Sequence, residues 1–204
     1  MAAGGRLTLV AIEGAKRVGP EWAELAAAFV LAARDGEPPA VLEIAADRVL
    51  PPLLQLAGRH DLLVIGAHDA GSRREDITRA IVHQSPVPVL VARVGAFGAK
   101  VTDRILAVLD DPTERAAAVA TALAERDGAT VETLRLSDRA ARRTRGLAAQ
   151  TVLDAAERVA ATLVVISSRG LASVAAFESV SAAVAVRASC SVLVLRPTDP
   201  PARA

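Results

Sequence analysis

Short apolar runs alternate along the chain with stretches in which apolar residues return at helical spacing. LTLVAI (7–12), AVLEIA (40–45), DLLVIG (61–66), VPVLVAR (87–93), RILAVLDD (104–111), ATVETLRL (129–136), TLVVIS (162–167) and SVLVLR (191–196) read as strands. PEWAELAAAFVLAARDG (20–36) predicts a helix, with Pro20 and Glu21 in its first turn, Gly36 as its stop, and Trp22, Leu25, Phe29 and Ala33 on one core face. Asp47–Arg59 predicts a second helix carrying Leu50, Leu53, Leu54 and Leu56, in which Pro51 and Pro52 are tolerable only near the start. Further helices are expected over Glu75–Gln84, over 112–128, and in the stretch that opens with Glu178, Ser179, Val180 and Ser181. The segment 137–150, crowded with Arg139, Arg142, Arg143 and Arg145, reads as a solvated loop or helix start, with a clamp for an anionic ligand or acidic partner as the sharper alternative. Strand and helix in alternation predict an α/β fold, built from parallel sheets with right-handed crossovers and helices on both faces.

The pattern runs twice. RILAVLDD echoes RLTLVAIEG (6–14), and PTERAAAVATALAERDG (112–128) echoes 20–36, sharing the initial proline and the closing Arg-Asp-Gly. ATVETLRL then echoes AVLEIA, and ATLVVISS (161–168) echoes HDLLVIGA (60–67). Matches in one order point to duplication. The expected domains are 1–94 and 104–204, with the Gly-rich stretch 95–103 as linker.

Composition narrows the partners. Hydrophobic residues make up 52% of the 204 and charged residues 23%, enough for a well-buried core in a soluble protein. Ala and Arg usage resembles that of a GC-rich bacterial genome. A formal charge of +1 gives no reason to expect nucleic acid or an anionic membrane as partner. Cys190 is the only cysteine, which rules out an internal disulfide and suits a reducing cytoplasm. No apolar run reaches the roughly 20 residues of a membrane span, so insertion is not expected. The start MAAGGRLTLVAIEG reads as a short tail entering a strand rather than a signal peptide. His60, His68, His83 and Cys190 match no zinc spacing, His68-Asp69 has no nucleophile beside it, and Lys16 and Lys100 follow no phosphate loop.

The blocks DLLVIGA…ITRAIVHQSPVPVLVAR (61–93) and ATLVVISSRG…SVSAAVAVRASCSVLVLRP (161–197) resemble the C-terminal part of the universal stress protein family. LTLVAIEG and ILAVLDD are similar to that family's first strand, which ends in an acidic residue near adenine. The resemblance covers most of both halves. It implies a Rossmann-like, adenine nucleotide α-hydrolase-like fold, in tandem, with each half one βα unit short of five strands. Family members dimerise through their last strands, so the two final strands here are expected to pair within one chain as a pseudo-dimer.

The family's nucleotide-binding members carry Gly-x2-Gly-x9-Gly-Ser/Thr after the fourth strand. Its glycines let backbone N–H groups approach phosphate at a helix N-terminus. In the second half Ser167 stands at the first glycine, Gly170 keeps the second, Glu178 takes the third and Ser179 the hydroxyl position. The first half keeps Gly66 but has Asp69, Glu75 and Asp76 at the other places. A carboxylate at each helix start favours the helix dipole and repels phosphate. The resemblance therefore implies a first site defunct for ATP, and a second whose remaining groups are Asp110, Arg169, Gly170, Ser179 and Ser181. The expected function is that of a cytoplasmic, non-catalytic regulatory or interaction protein with no required cofactor. Its partner would be another protein or a second copy. The alternatives are ATP binding, with at most slow hydrolysis, in the second half alone, and kinship with a transporter's cytoplasmic regulatory domain.

Overall fold

The computed structural model describes residues 8–12, 40–44, 49–66, 73–93, 101–109, 114–136, 145–168 and 180–196. The chain divides into two compact units, Met1–Gln55 and Leu56–Ala204. In the first, β1 (Thr8–Ile12) and β2 (Ala40–Ile44) pair in parallel, from Thr8 opposite Ala40 to Ile12 opposite Ile44. The expected helix over 20–36 lies outside the described residues. The division falls within α1 (Leu50–Ala57), where Pro51 and Pro52 occupy the first turn, the place where a missing N–H costs nothing.

The second unit holds β3 (Leu63–Gly66), α2 (Arg73–Gln84), β4 (Val89–Ala92), β5 (Arg104–Leu109), α3 (Arg115–Asp127), β6 (Thr130–Arg135), α4 (Arg145–Arg158), β7 (Leu163–Ser167), α5 (Val180–Arg187) and β8 (Ser191–Leu195). Its six strands form one sheet in the order β3-β4-β8-β7-β5-β6. The final strands of the two blocks pair within the chain, so the strands expected as two parallel units form one sheet. β3–β4, β8–β7, β7–β5 and β5–β6 are parallel, and β4 meets β8 antiparallel, which makes one mixed sheet. The reason is the bare edge. VLVA and SVLVL are apolar strands whose open N–H and C=O groups need a partner, and each finds the other.

The junction has a symmetric register. Setting Arg93 against Arg196 makes Leu90 the counterpart of Leu193, and Val89 and Val91 the counterparts of Val192 and Val194. In the sheet Leu90 lies opposite Leu193, while Val89 faces Val194 and Val91 faces Val192.

Burial follows sheet position. β7 is buried at all five positions and β5 at five of six, as central parallel strands are. On one face Ala116, Ala120 and Ala124 of α3 pack on Ile105, Ala107, Leu163, Val165 and Leu195. Alanines four residues apart leave a flat stripe on which the sheet sits closely. Residues of the opposite parity, Leu106, Val108, Val164, Ile166, Val192 and Val194, are 0–2% exposed, so the other face is covered as well. α5 packs between α2 and α4. α3 ends as the sequence suggests. Gly128 sits at φ 71° and gives its N–H to Ala124 O at 2.8 Å, a left-handed stop that suits glycine.

Candidate functional site

In the run β8-β7-β5-β6 the chain leaves β5 through α3 to reach β6 on one side. It then crosses through α4 to β7 on the other side. The direction of winding reverses between β5 and β7, and the carboxyl ends of these strands form the crevice in which open α/β sheets hold ligands. The strand-to-helix loops of this crevice, 110–113 and 169–179, lie outside the described residues, and Asp110, Arg169, Gly170 and Ser179 with them. Glu178, Glu13, Asp69, His68 and Arg139–Arg143 are also outside. Of the five residues expected to form a second-half site, Ser181 alone is described. It is the second residue of α5 and only 3% exposed, packed in a run of six buried residues from Ser181 to Val186.

The described floor of the crevice is polar at two points. Ser167 and Ser168, which close β7, are 7% and 8% exposed. Ser168 donates its N–H to Leu195 O at 2.8 Å, and its Oγ lies 3.4 Å from Arg196 Nη1. The Ser167 hydroxyl is buried and has no hydrogen-bond partner among the described residues. A buried unpaired hydroxyl costs about 1–3 kcal/mol, so it is a place where a water or ligand atom would be accepted.

Three arginines that the motif comparison did not single out stand at the same end of the sheet. Arg135 closes β6 and pairs with Glu114 at 2.5 Å, both side chains exposed. Arg115 opens α3 and donates to the carbonyl oxygen of Arg196. Arg196 follows β8 and donates to Ser85 O and, at 2.9 Å, to His83 O. Burial holds the Arg196 guanidinium below its ordinary pKa. For Arg196 the signal was present in the sequence, since an arginine directly after a parallel strand falls at the ligand end of the sheet. Among the described residues each of the three has a partner within the chain.

The first-half counterpart is plainer. Gly66 closes β3, and among the described residues nothing lies within 4 Å of where its Cβ would stand. Asp76 is exposed in the first turns of α2, and Glu75 precedes it in the same helix. His60 is half-buried in the turn after α1, and His83 is exposed in the last turn of α2. Cys190, just before β8, is half-buried, and burial pushes its thiol above the usual range against a smaller opposing pull from Arg93. Among the described residues no group of His, Cys, Asp and Glu is placed to hold a metal ion. No helix among them is long and apolar enough to cross a membrane.

Residues 138–196 match the universal stress protein family. They take in the segment before α4, then α4, β7, the crevice loop, α5 and β8, with Arg196 as the last residue matched. A functionally unknown protein from Pseudomonas aeruginosa PAO1 is similar in structure, with a TM-score of 0.64 at 18% identity over 94% of this chain and 82% of that one. A universal stress protein from Archaeoglobus fulgidus DSM 4304 is similar to the same degree, with a TM-score of 0.64 at 18% identity over 94% of this chain and 85% of that one. At this identity the likeness is one of fold: an α/β protein with a mostly parallel, Rossmann-like sheet of the universal stress protein kind. No curated protein matches the chain in sequence.

Proposed function

We propose that the chain is a universal stress protein-like regulatory or interaction protein of tandem form, non-catalytic, with nucleotide sites that have degenerated. The observation that carries this reading is the state of the second-half crevice. Ser181, one of the hydroxyls left to the second-half site, is buried in α5, and Arg115, Arg196 and Arg135 are engaged with carbonyls and with Glu114. At the motif's third glycine position the sequence carries Glu75 and Glu178, carboxylates whose charge repels phosphate.

The tandem reading has its own support. The family match is confined to 138–196, but the structural likeness runs over 94% of the chain. The junction of β4 with β8, in register about Leu90 and Leu193, is what two copies of one unit joined through their last strands would make. Under this reading the halves are 1–94 and 104–204, an intramolecular pseudo-dimer occupies the surface through which family members dimerise, and the protein works in a bacterial cytoplasm on a protein partner.

A second reading is favoured by one feature: the unpaired buried hydroxyl of Ser167 beneath a cationic strand end suits an ATP site in the second half. Calorimetric titration separates the two. The first reading expects no binding heat at millimolar ATP. Micromolar binding that disappears in Gly170→Asp would overturn it and establish the second.

A further inference from the structure

The seam between β4 and β8 is short, with three residue pairs in register. Two arginines reach across it. Arg93, directly after β4, donates from Nη2 to Ala185 O at 3.0 Å and Val186 O at 2.6 Å, the last carbonyls of α5. Its backbone N–H also meets Ser191 Oγ at 3.1 Å. Arg196, directly after β8, donates to His83 O at 2.9 Å and to Ser85 O at the end of α2. The two residues are counterparts in the repeat, and so are the acceptors His83 and Val186. Each arginine leaves the last strand of one block and closes the last helix of the other.

The chemistry suits the task. The final carbonyls of a helix have no partner within it and carry the negative end of the helix dipole, and a guanidinium supplies several donors in a fixed plane together with a positive charge. We propose that Arg93 and Arg196 form a reciprocal clasp, a conformational lock that makes β4, β8, α2 and α5 open together or not at all. The contacts themselves carry this, and it holds whether or not a nucleotide binds elsewhere. Parting the strands would pull both guanidiniums from their carbonyls and leave four helix-end acceptors without a donor. Either arginine therefore protects the strand it does not belong to.

The test uses the full chain, and Cys190, the only thiol, is a built-in reporter beside the seam. Hydrogen exchange is followed over 86–93 and 190–196, with 104–109 and 130–135 as reference strands. The rate of Cys190 alkylation is followed in parallel. In Arg93→Met, exchange should rise about tenfold in both β4 and β8, as expected for loss of a partly buried charged cap, and Cys190 should react several-fold faster. Arg196→Met should do the same from the other side. The lysine variants, which keep charge but lose the fork, should fall between wild type and methionine. Faster exchange confined to the strand next to the substitution, or an equal rise over all six strands, would overturn the clasp. Should a methionine variant not fold, the same comparison in the lysine variants decides.

Discussion

The blocks β3-α2-β4 and β7-α5-β8 echo each other in sequence, yet they are buried to very different degrees. β7 and β8 lie inside the sheet, and β7 is closed at every position. β3 forms the edge of the same sheet, and Val64 at its second position is 55% exposed. The helices differ in the same way. Aligned through Arg93 and Arg196, Ile81 and Val82 of α2 match Val184 and Ala185 of α5, and all four are buried. Beside them Arg79 matches Ala182, and His83 matches Val186. α5 has a neighbour on each side and carries small apolar residues there, whereas α2 carries a cation and an imidazole. Position in the assembly has set the polarity of each copy.

Exchanging counterparts tests this. Ala182→Arg puts a long cation where 2% of the surface remains, and the loss should exceed about 4 kcal/mol, enough to abolish a cooperative urea transition. The reverse exchange, Arg79→Ala in half-buried surroundings, should cost at most about 1 kcal/mol in the same titration. Comparable losses would mean that the two helices are equally enclosed.

The strands give a smaller contrast. Val165→Ala, with no exposed surface, should cost about 2 kcal/mol, and Val64→Ala at the edge should stay within about 0.5 kcal/mol. The last residues of β3 and β7 come next. Ser167→Ala removes a buried hydroxyl without a described partner and should raise stability by up to about 1 kcal/mol, unless a bound ligand needs that hydroxyl. Gly66→Ser places its Cβ in open space and should lie within about 0.5 kcal/mol of wild type. A large loss in Gly66→Ser would show that the first-half loop does approach this backbone.

The smallest effect concerns pH. Cys190 takes the place of Val87, and burial raises its thiol pKa in the folded chain. The folded state therefore holds the proton more tightly than the unfolded one. Stability from this group is complete below the unfolded thiol value of about 8.5 and is lost as pH rises from there through the higher folded value. Denaturation midpoints measured from pH 7 to 10 should show this fall in the wild type and lose it in Cys190→Val.

Much of the fold was legible. The apolar runs fall on the eight described strands within two residues at either end, and the continuous runs of β5 and β7 are those of strands buried on both faces. Asp47–Arg59 contracted to Leu50–Ala57 because a proline pair can sit only in a first turn. The segment 137–150 was harder. Its crowded arginines carry no apolar period, and of its described residues Arg145–Gln150 open α4. At the candidate site the replacement of glycines by Glu75 and Glu178 was readable as chemistry. The burial of Ser181 was not, because a hydroxyl two residues into a helix reads alike whether it faces a ligand or a neighbouring helix.

By itself the sequence determined the elements and the acidic residues at the motif's glycine positions, since each depends on residues close together in the chain. Only the tertiary structure decided that the paired last strands run antiparallel in this register, that β3 became an edge, and that α5 became a core helix. It also decided that Arg93 and Arg196 each close a helix of the other block. Those outcomes depend on which apolar edge meets which, and that is settled by the burial both gain when they meet.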